Sequence, residues 1–309
     1  MDDPRLAEPT WFYLHWAGIG YLFLRMAHVQ ADVGRGLLPA PAAVDYFAYL
    51  LFPPTLRMGP IYRFGAFAQQ LHGDLERGRS LPAAAGRLLA GFIRLGIMAA
   101  LLKHAPLDRL YGEIDQLNRL STDRFLAGIY IAPMTIYLWI GGYTDLAVGV
   151  GRIMGFTVPE NFHYPWVATS IADFWRRWHL TLGAWLRDYI YIPLGGSRRH
   201  VTLNYLVTFL FCGLWHGTYP AMVLWGLSQG LGLAVWRVWN RFWTRQAERT
   251  TPLCRAARRL RLKDGPLGTA LAWLLTFHYQ ILTINVILDE RHAGRLMAGR
   301  LAELISLRG

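Results

Sequence analysis

The chain has 309 residues, 53% hydrophobic and only 17% charged, with a formal net charge of +12. Soluble domains carry about 25% charged residues, so the balance argues against one and for a membrane protein, with thirteen Trp and fifteen Tyr available as interfacial anchors. Its Lys and Arg residues concentrate in connecting segments, which reads as positive-inside bias and attraction to anionic lipid rather than as a nucleic-acid surface.

A helix crossing the hydrocarbon core needs about 20 mostly apolar residues. The first such stretch covers about 11–29 and contains His15, Arg25 and His28. Its start, Met1-Asp2-Asp3-Pro4, lacks a basic n-region, so no cleavable signal peptide is expected. The next, 46–58, is too short to span unless broken or re-entrant, and it ends in Gly59-Pro60. A third covers 81–102. A fourth covers 125–150 and carries Pro133, Gly141-Gly142 and Asp145. A carboxylate there is costly unless paired, and an arginine such as Arg152 or Arg176 is the expected partner.

From 168 to 192 the pattern changes. Trp175, Trp178, His179, Leu182 and Trp185 are spaced to share one face of a helix, with Arg176, Arg177, Arg187 and Asp188 largely elsewhere. This predicts an amphipathic interfacial or cavity-lining helix, ended by Ile192-Pro193-Leu194-Gly195-Gly196 and the basic tip Arg198-Arg199-His200. Two apolar helices follow at 201–215 and 220–239. A basic stretch reaches 263, a last span covers 267–288, and an amphipathic tail covers 291–307.

If both basic loops are cytoplasmic, 201–239 is a hairpin with His216-Gly217-Thr218-Tyr219-Pro220 at its tip. Its first arm reaches only about 22 Å of the ~30 Å core, so His216 should floor a depression open to the outer side. His179 should then lie nearer the inner side, and two histidines reached from opposite faces imply a tunnel. Imidazoles beside lipid-spanning helices mark functional sites and suit proton transfer to or from a hydroxyl.

At these residues the chain resembles the membrane-bound O-acyltransferase family, in its bacterial alginate O-acetyltransferase-like branch. The matching run includes Gly141-Gly142-Tyr143-Thr144-Asp145, Pro159-Glu160-Asn161-Phe162, Phe174-Trp175-Arg176-Arg177-Trp178-His179, Trp185-Leu186-Arg187-Asp188-Tyr189 and Leu214-Trp215-His216-Gly217, with Leu224-Trp225-Gly226 beyond. Upstream, Gly59-Pro60-Ile61-Tyr62-Arg63 looks like another family element. The match is densest over 140–226, within a single domain whose family core covers about 15–290. Relatives usually begin with several more hydrophobic helices, so those are expected to be missing.

The resemblance implies an all-α, polytopic protein of the bacterial inner membrane, with amphipathic or re-entrant helices around a central tunnel. It also implies transfer of an acyl group, acetyl first, from acetyl-coenzyme A or another acyl thioester, on coenzyme or carrier protein, to a hydroxyl of an extracytoplasmic polysaccharide. A periplasmic acyltransferase partner fits the same branch. His216 is by resemblance the active-site base and His179 the second recurrent polar residue. From spacing alone, His216 could equally be a turn histidine bonded to a carbonyl, and His179 an interfacial one.

Trp178, Arg176, Arg177, Trp215, Asp145 and Arg63 are the remaining candidates for holding donor or acceptor. The arginines suit coenzyme phosphates, with topology-setting or lipid-facing roles as the competing reading, and an ion pair competes for Asp145. No bound cofactor and no metal is expected, because His-Glu-x-x-His spacing is absent and Cys212 and Cys254 stand apart. Rival readings are D-alanyl or acyl transfer to teichoic acid, a lipid or a small secreted metabolite, and a non-catalytic transporter or export subunit.

Overall fold

The computed structural model describes residues 8–73, 75, 80–104, 120–247 and 265–288, with positions 299, 302 and 306. The described elements are helical, with no strand among them. In chain order they are α1 (Glu8–Gly34), α2 (Ala43–Leu50), a 3-10 turn (Pro53–Thr55), α3 (Phe64–Leu71), α4 (Leu81–His104) and α5 (Thr122–Ile153). After a second 3-10 turn (Pro165–Val167) come α6 (Ile171–Trp175), α7 (Leu180–Leu186), a π-helical turn (Arg187–Tyr191), α8 (Val201–His216), α9 (Pro220–Ala247) and α10 (Pro266–Leu288). The helices at Leu81–Lys103, Thr122–Ile153 and Pro266–Val286 are long and apolar enough to cross a membrane. The basic residues at 248–263 with Cys254, and the tail expected over 291–307 apart from positions 299, 302 and 306, lie outside the described residues.

Helices stand at each of the expected apolar stretches, three of them long and apolar enough to span, and 46–58 is broken into α2 and a 3-10 turn. The single amphipathic helix expected over 168–192 is not there. It is two short helices, α6 and α7, with His179 between them in the left-handed region at φ 45°. The residues at 161–163 take the backbone groups that a continuous helix would use. The Leu180 N–H donates to the Asn161 carbonyl at 2.9 Å, and the His163 N–H donates to the Arg177 carbonyl at 2.9 Å. A helical period in the sequence records which residues are apolar; it does not show that a neighbouring irregular segment will intercept the hydrogen bonds.

The chain divides into two compact units. One holds the chain through Lys103 together with Thr135–Phe162 and His179–Tyr189. Phe52, Tyr62, Phe64, Phe67 and Phe156 form its aromatic core, with Phe67 stacked on Phe156 at 5.2 Å. Two buried polar residues of α1 pin the α2–α3 segment to that helix. Arg25 donates to the Thr55 and Tyr49 carbonyls and lies over the Tyr49 ring. The Phe64 N–H donates to His28 Nε2 at 3.1 Å, so the ring's proton sits on Nδ1, 3.3 Å from the Leu24 carbonyl that accepts it. His28 therefore satisfies an otherwise orphaned N–H at the start of α3.

In the same unit, Asp145 on α5 is 1% exposed and pairs with Arg87 at 2.8 Å and Arg94 at 2.5 Å, both from α4. Arg87 also meets Glu160 at 2.6 Å. The expected partners Arg152 and Arg176 are not the ones used. The two arginines of α4 stand seven positions apart, two turns along one face, which lets both reach a single carboxylate. Glycines let the helices approach. A side chain at Gly142 would meet Leu95 Cγ at 2.8 Å, and one at Gly91 would meet the Gly142 carbonyl at 2.9 Å. The opposite face of α4 exposes Leu89, Phe92, Ile93 and Ile97, as a lipid-facing surface would.

The other unit holds His104–Met134, His163–Trp178 and the chain from Ile190 onward. Here α8 and α9 pack as the expected hairpin. A Cβ at Gly213 would sit 2.3 Å from the Met222 carbonyl, and one at Gly226 would sit 2.3 Å from that of Phe209. No larger residue permits that backbone approach. Pro133 in α5 cannot donate to the Ile129 carbonyl, and Asn285 of α10 supplies the missing donor at 3.0 Å. This bond ties α10 to the amino-terminal part of α5.

Candidate active site

His216 is the last residue of α8, where the helix ends in Gly217. A side chain at Gly217 would meet the Tyr219 ring at 2.6 Å, so glycine lets the turn close onto that ring before Pro220 starts α9. The residue is exposed at the end of its helix, and its imidazole is framed by aromatics. Trp215 lies 4.7 Å away between ring centroids, and Trp225 of α9 meets it edge to face at 5.4 Å and 83°. Trp175 packs behind, 6.1 Å from Trp225 and 4.7 Å from Phe209. Its N–H donates at 3.1 Å to Oε1 of the fully buried Gln229, which also accepts from Gln280 at 3.2 Å. Gln229 in turn donates to Thr283 at 2.9 Å. These polar bonds fix the aromatic wall. An accessible imidazole on such a fixed wall can take a proton from an incoming hydroxyl.

His179 has different surroundings. It is 2% exposed, shares a 3.0 Å hydrogen bond through Nε2 with the Tyr21 hydroxyl, and lies near the Phe162 ring. Its left-handed backbone costs about 1–2 kcal/mol for a residue other than glycine. The surrounding bonds hold it there. Asn161 acts as a cap for α7 from a distant part of the sequence, its Oδ1 accepting from the Thr181 N–H at 3.4 Å and the Thr181 hydroxyl at 2.6 Å. Thr181 Oγ1 accepts from the Ile61 N–H at 2.9 Å, and Asn161 Nδ2 donates to Thr144 at 3.4 Å. Four separated motifs, Gly-Pro-Ile, Gly-Gly-Tyr-Thr, Pro-Glu-Asn-Phe and the turn after His179, thus meet in one buried polar chain.

Most of the remaining candidates are already engaged. Arg63 pairs with Asp188 at 3.0 Å and lies over the Tyr189 ring at 4.5 Å. Tyr189 donates to Asp32 at 2.8 Å; burial and then this bond hold its phenol above the ordinary range. Arg177 pairs with Asp173 at 2.9 Å. Arg176 reaches Asp173 only at 3.5 Å and is 65% exposed, so among these arginines it is the most available to an anion. Trp178 is buried and stacked on Phe174 at 5.4 Å. Asp145 is committed to its two arginines. No cluster of three or more metal-binding side chains occurs among the described residues.

Residues 8–284 match the membrane-bound O-acyltransferase family. The chain belongs to that family. It is 34% identical over 219 residues to the probable alginate O-acetylase AlgI of Pseudomonas fluorescens, which covers 70% of this chain and 43% of that protein. It is 38% identical over 239 residues to the peptidoglycan O-acetyltransferase of Helicobacter pylori, covering 76% and 42%. The teichoic acid D-alanyltransferase of Bacillus subtilis aligns at 26% over 90% of this chain and 70% of its own length. The chain thus spans under half the length of the first two relatives.

The structure gives places near these candidates to residues to which the sequence assigns no role. Arg87 and Arg94 were readable, being two cations on one face of an otherwise apolar span. Trp225 and Gln229 also carried a signal, one helical turn apart, with an amide inside an apolar helix. Tyr21 gave none, since only the folded chain brings it to His179.

Proposed function

We propose that this protein is a membrane O-acyltransferase that moves an acyl group, acetyl first, from a cytosolic thioester to a hydroxyl of an acceptor on the outer side. The observation that carries the reading is the imidazole of His216 at an exposed helix end against a braced aromatic wall, within a family match over residues 8–284. His216 is the general base: it takes the hydroxyl proton as the oxygen attacks the thioester carbonyl, and then protonates the departing thiolate. Acetyl-coenzyme A is the proposed donor, with Arg176 as the cation best exposed to its phosphates. His179 is proposed as a positioning residue, because its ring is buried and bonded to Tyr21.

A polysaccharide acceptor is supported by two relatives whose names specify O-acetylation of alginate and of peptidoglycan, and the bacterial inner membrane is the setting proposed with it. The third relative, aligned over more of this chain, supports a second reading in which D-alanine on a carrier protein is transferred to teichoic acid. Labelled acetyl-coenzyme A and labelled D-alanyl carrier protein, supplied separately to membranes containing the full chain, decide between them. Acetyl label on an extracytoplasmic polymer, lost in His216→Ala, is expected. Transfer by His216→Ala at the unaltered rate would remove the base from this scheme. A periplasmic acyltransferase partner belongs to the same proposal, and periplasmic extract that raises label transfer would reveal it.

A further inference from the structure

We infer that the indole N–H of Trp225 is the hydrogen-bond donor to the acyl carbonyl oxygen during transfer at His216, an assignment that rests on the acyl-transfer reading above. Trp225 is 6% exposed, and its Nε1 has no hydrogen-bond partner among the described residues. Burying a donor without an acceptor is costly, and native proteins seldom tolerate it without a use. The same indole lies edge to face with His216 at 5.4 Å. The ring that carries the unpaired N–H is therefore in contact with the imidazole, so an acyl group held at His216 would lie beside this indole.

The neighbouring polar groups explain why Trp225 is left with a free donor. Gln229, one turn further along α9, is the nearby amide that could accept from it. Its Oε1 already accepts from Trp175 and Gln280, and its Nε2 is spent on Thr283. One indole behind the site is thus satisfied by the protein, while the other, against His216, is not.

The carbonyl oxygen is the acceptor that makes chemical use of this donor. As the hydroxyl oxygen bonds to the acyl carbon, its proton passes to the imidazole and the carbonyl π pair moves onto oxygen. A donor placed there binds the transition state more strongly than the thioester. When the pair returns, the carbon–sulfur bond breaks, and the imidazolium proton goes to the thiolate to give ester, thiol and neutral imidazole. A donor on the attacking hydroxyl would instead weaken the nucleophile.

The test exchanges the N–H for sulfur by placing benzothienylalanine at position 225 of the full chain, with Trp225→Phe as a second variant. Steady-state transfer from acetyl-coenzyme A should lose roughly 100-fold in kcat with KM little changed. Unaltered kcat in the benzothienyl protein would overturn the assignment. A second readout needs no turnover: acetyl-coenzyme A labelled with ¹³C at the carbonyl is bound to His216→Ala and its carbonyl stretch recorded. The band should shift to lower frequency, and that shift should vanish when Trp225 is also replaced. An equal shift with and without the indole N–H overturns the assignment, as does failure of the thioester to bind either protein. A shift that depends on Trp225, seen beside a wild-type chain that transfers no label, shows that the indole binds the thioester carbonyl but overturns its role in transfer together with the acyl-transfer reading.

Discussion

The two histidines of this chain are opposites in everything but residue type. His179 is buried and strained into the left-handed region, with Tyr21 bonded to its ring and the Asn161 segment holding the backbone of the next residue, Leu180. His216 ends a helix, is exposed, and touches aromatic faces. A group that must accept a proton from a substrate needs access; one that organises the protein needs fixed partners. The comparison teaches that a histidine's role is read from what surrounds it, and that resemblance alone, which marks both, does not separate them.

The sharpest way to break this comparison is His216→Ala. On the proposed base role, loss of the imidazole should lower transfer about 10²–10⁴-fold, while the melting temperature in detergent falls only slightly, because the ring contacts with Trp215 and Trp225 are all that is lost. A large loss of stability would place His216 with the structural group. Asn161→Ala should show the converse pattern. It removes the remote cap of α7 and leaves the Thr181 hydroxyl and Thr144 without their partner. About 2 kcal/mol of stability should be lost, read as a lower melting temperature, and transfer by the protein that remains folded should fall far less than in His216→Ala.

Why the sequence disclosed one half of this picture better than the other follows from the kind of signal each half leaves. The spans and the α8–α9 hairpin are written in local composition, so apolar runs and a Gly-Thr-Tyr-Pro turn sufficed to place His216 at a tip. The break between α6 and α7 depends on Asn161 and His163 intercepting backbone groups. That event joins distant segments, and the helical period of Trp175, Trp178, Leu182 and Trp185 masks it. Asp145 is recognisable as a charge that must be paired, but the sequence does not show which arginines the fold brings to it, and neither Arg152 nor Arg176 is used. The partners are instead Arg87 and Arg94, across a helix interface opened by glycines.

The strain at His179 permits a finer test. At φ 45°, glycine is accommodated without the steric penalty that alanine meets, so His179→Gly should be more stable than His179→Ala by about 1 kcal/mol. Both lose the ring and its bond to Tyr21, so the difference isolates the backbone. The melting temperatures of the two purified variants give the sign directly. Equal stabilities, or alanine ahead, would mean that the turn relaxes out of the left-handed region once the imidazole is gone.

The smallest expected effect is also the most discriminating. Tyr21→Phe keeps a ring beside His179 and removes only the hydroxyl bonded to Nε2 at 3.0 Å. If that bond merely holds the imidazole, its loss should lower stability by about 1 kcal/mol. Transfer should then fall only a few-fold, through KM or kcat alike. Combined with His179→Ala, the two changes should be non-additive, because each removes the same interaction, and a double-mutant cycle on melting should recover a coupling of about 1 kcal/mol. A hundred-fold fall in kcat at unchanged stability would instead put the Tyr21–His179 pair in the proton path. The buried histidine would then be reactive as well, and access would no longer be what distinguishes it from His216.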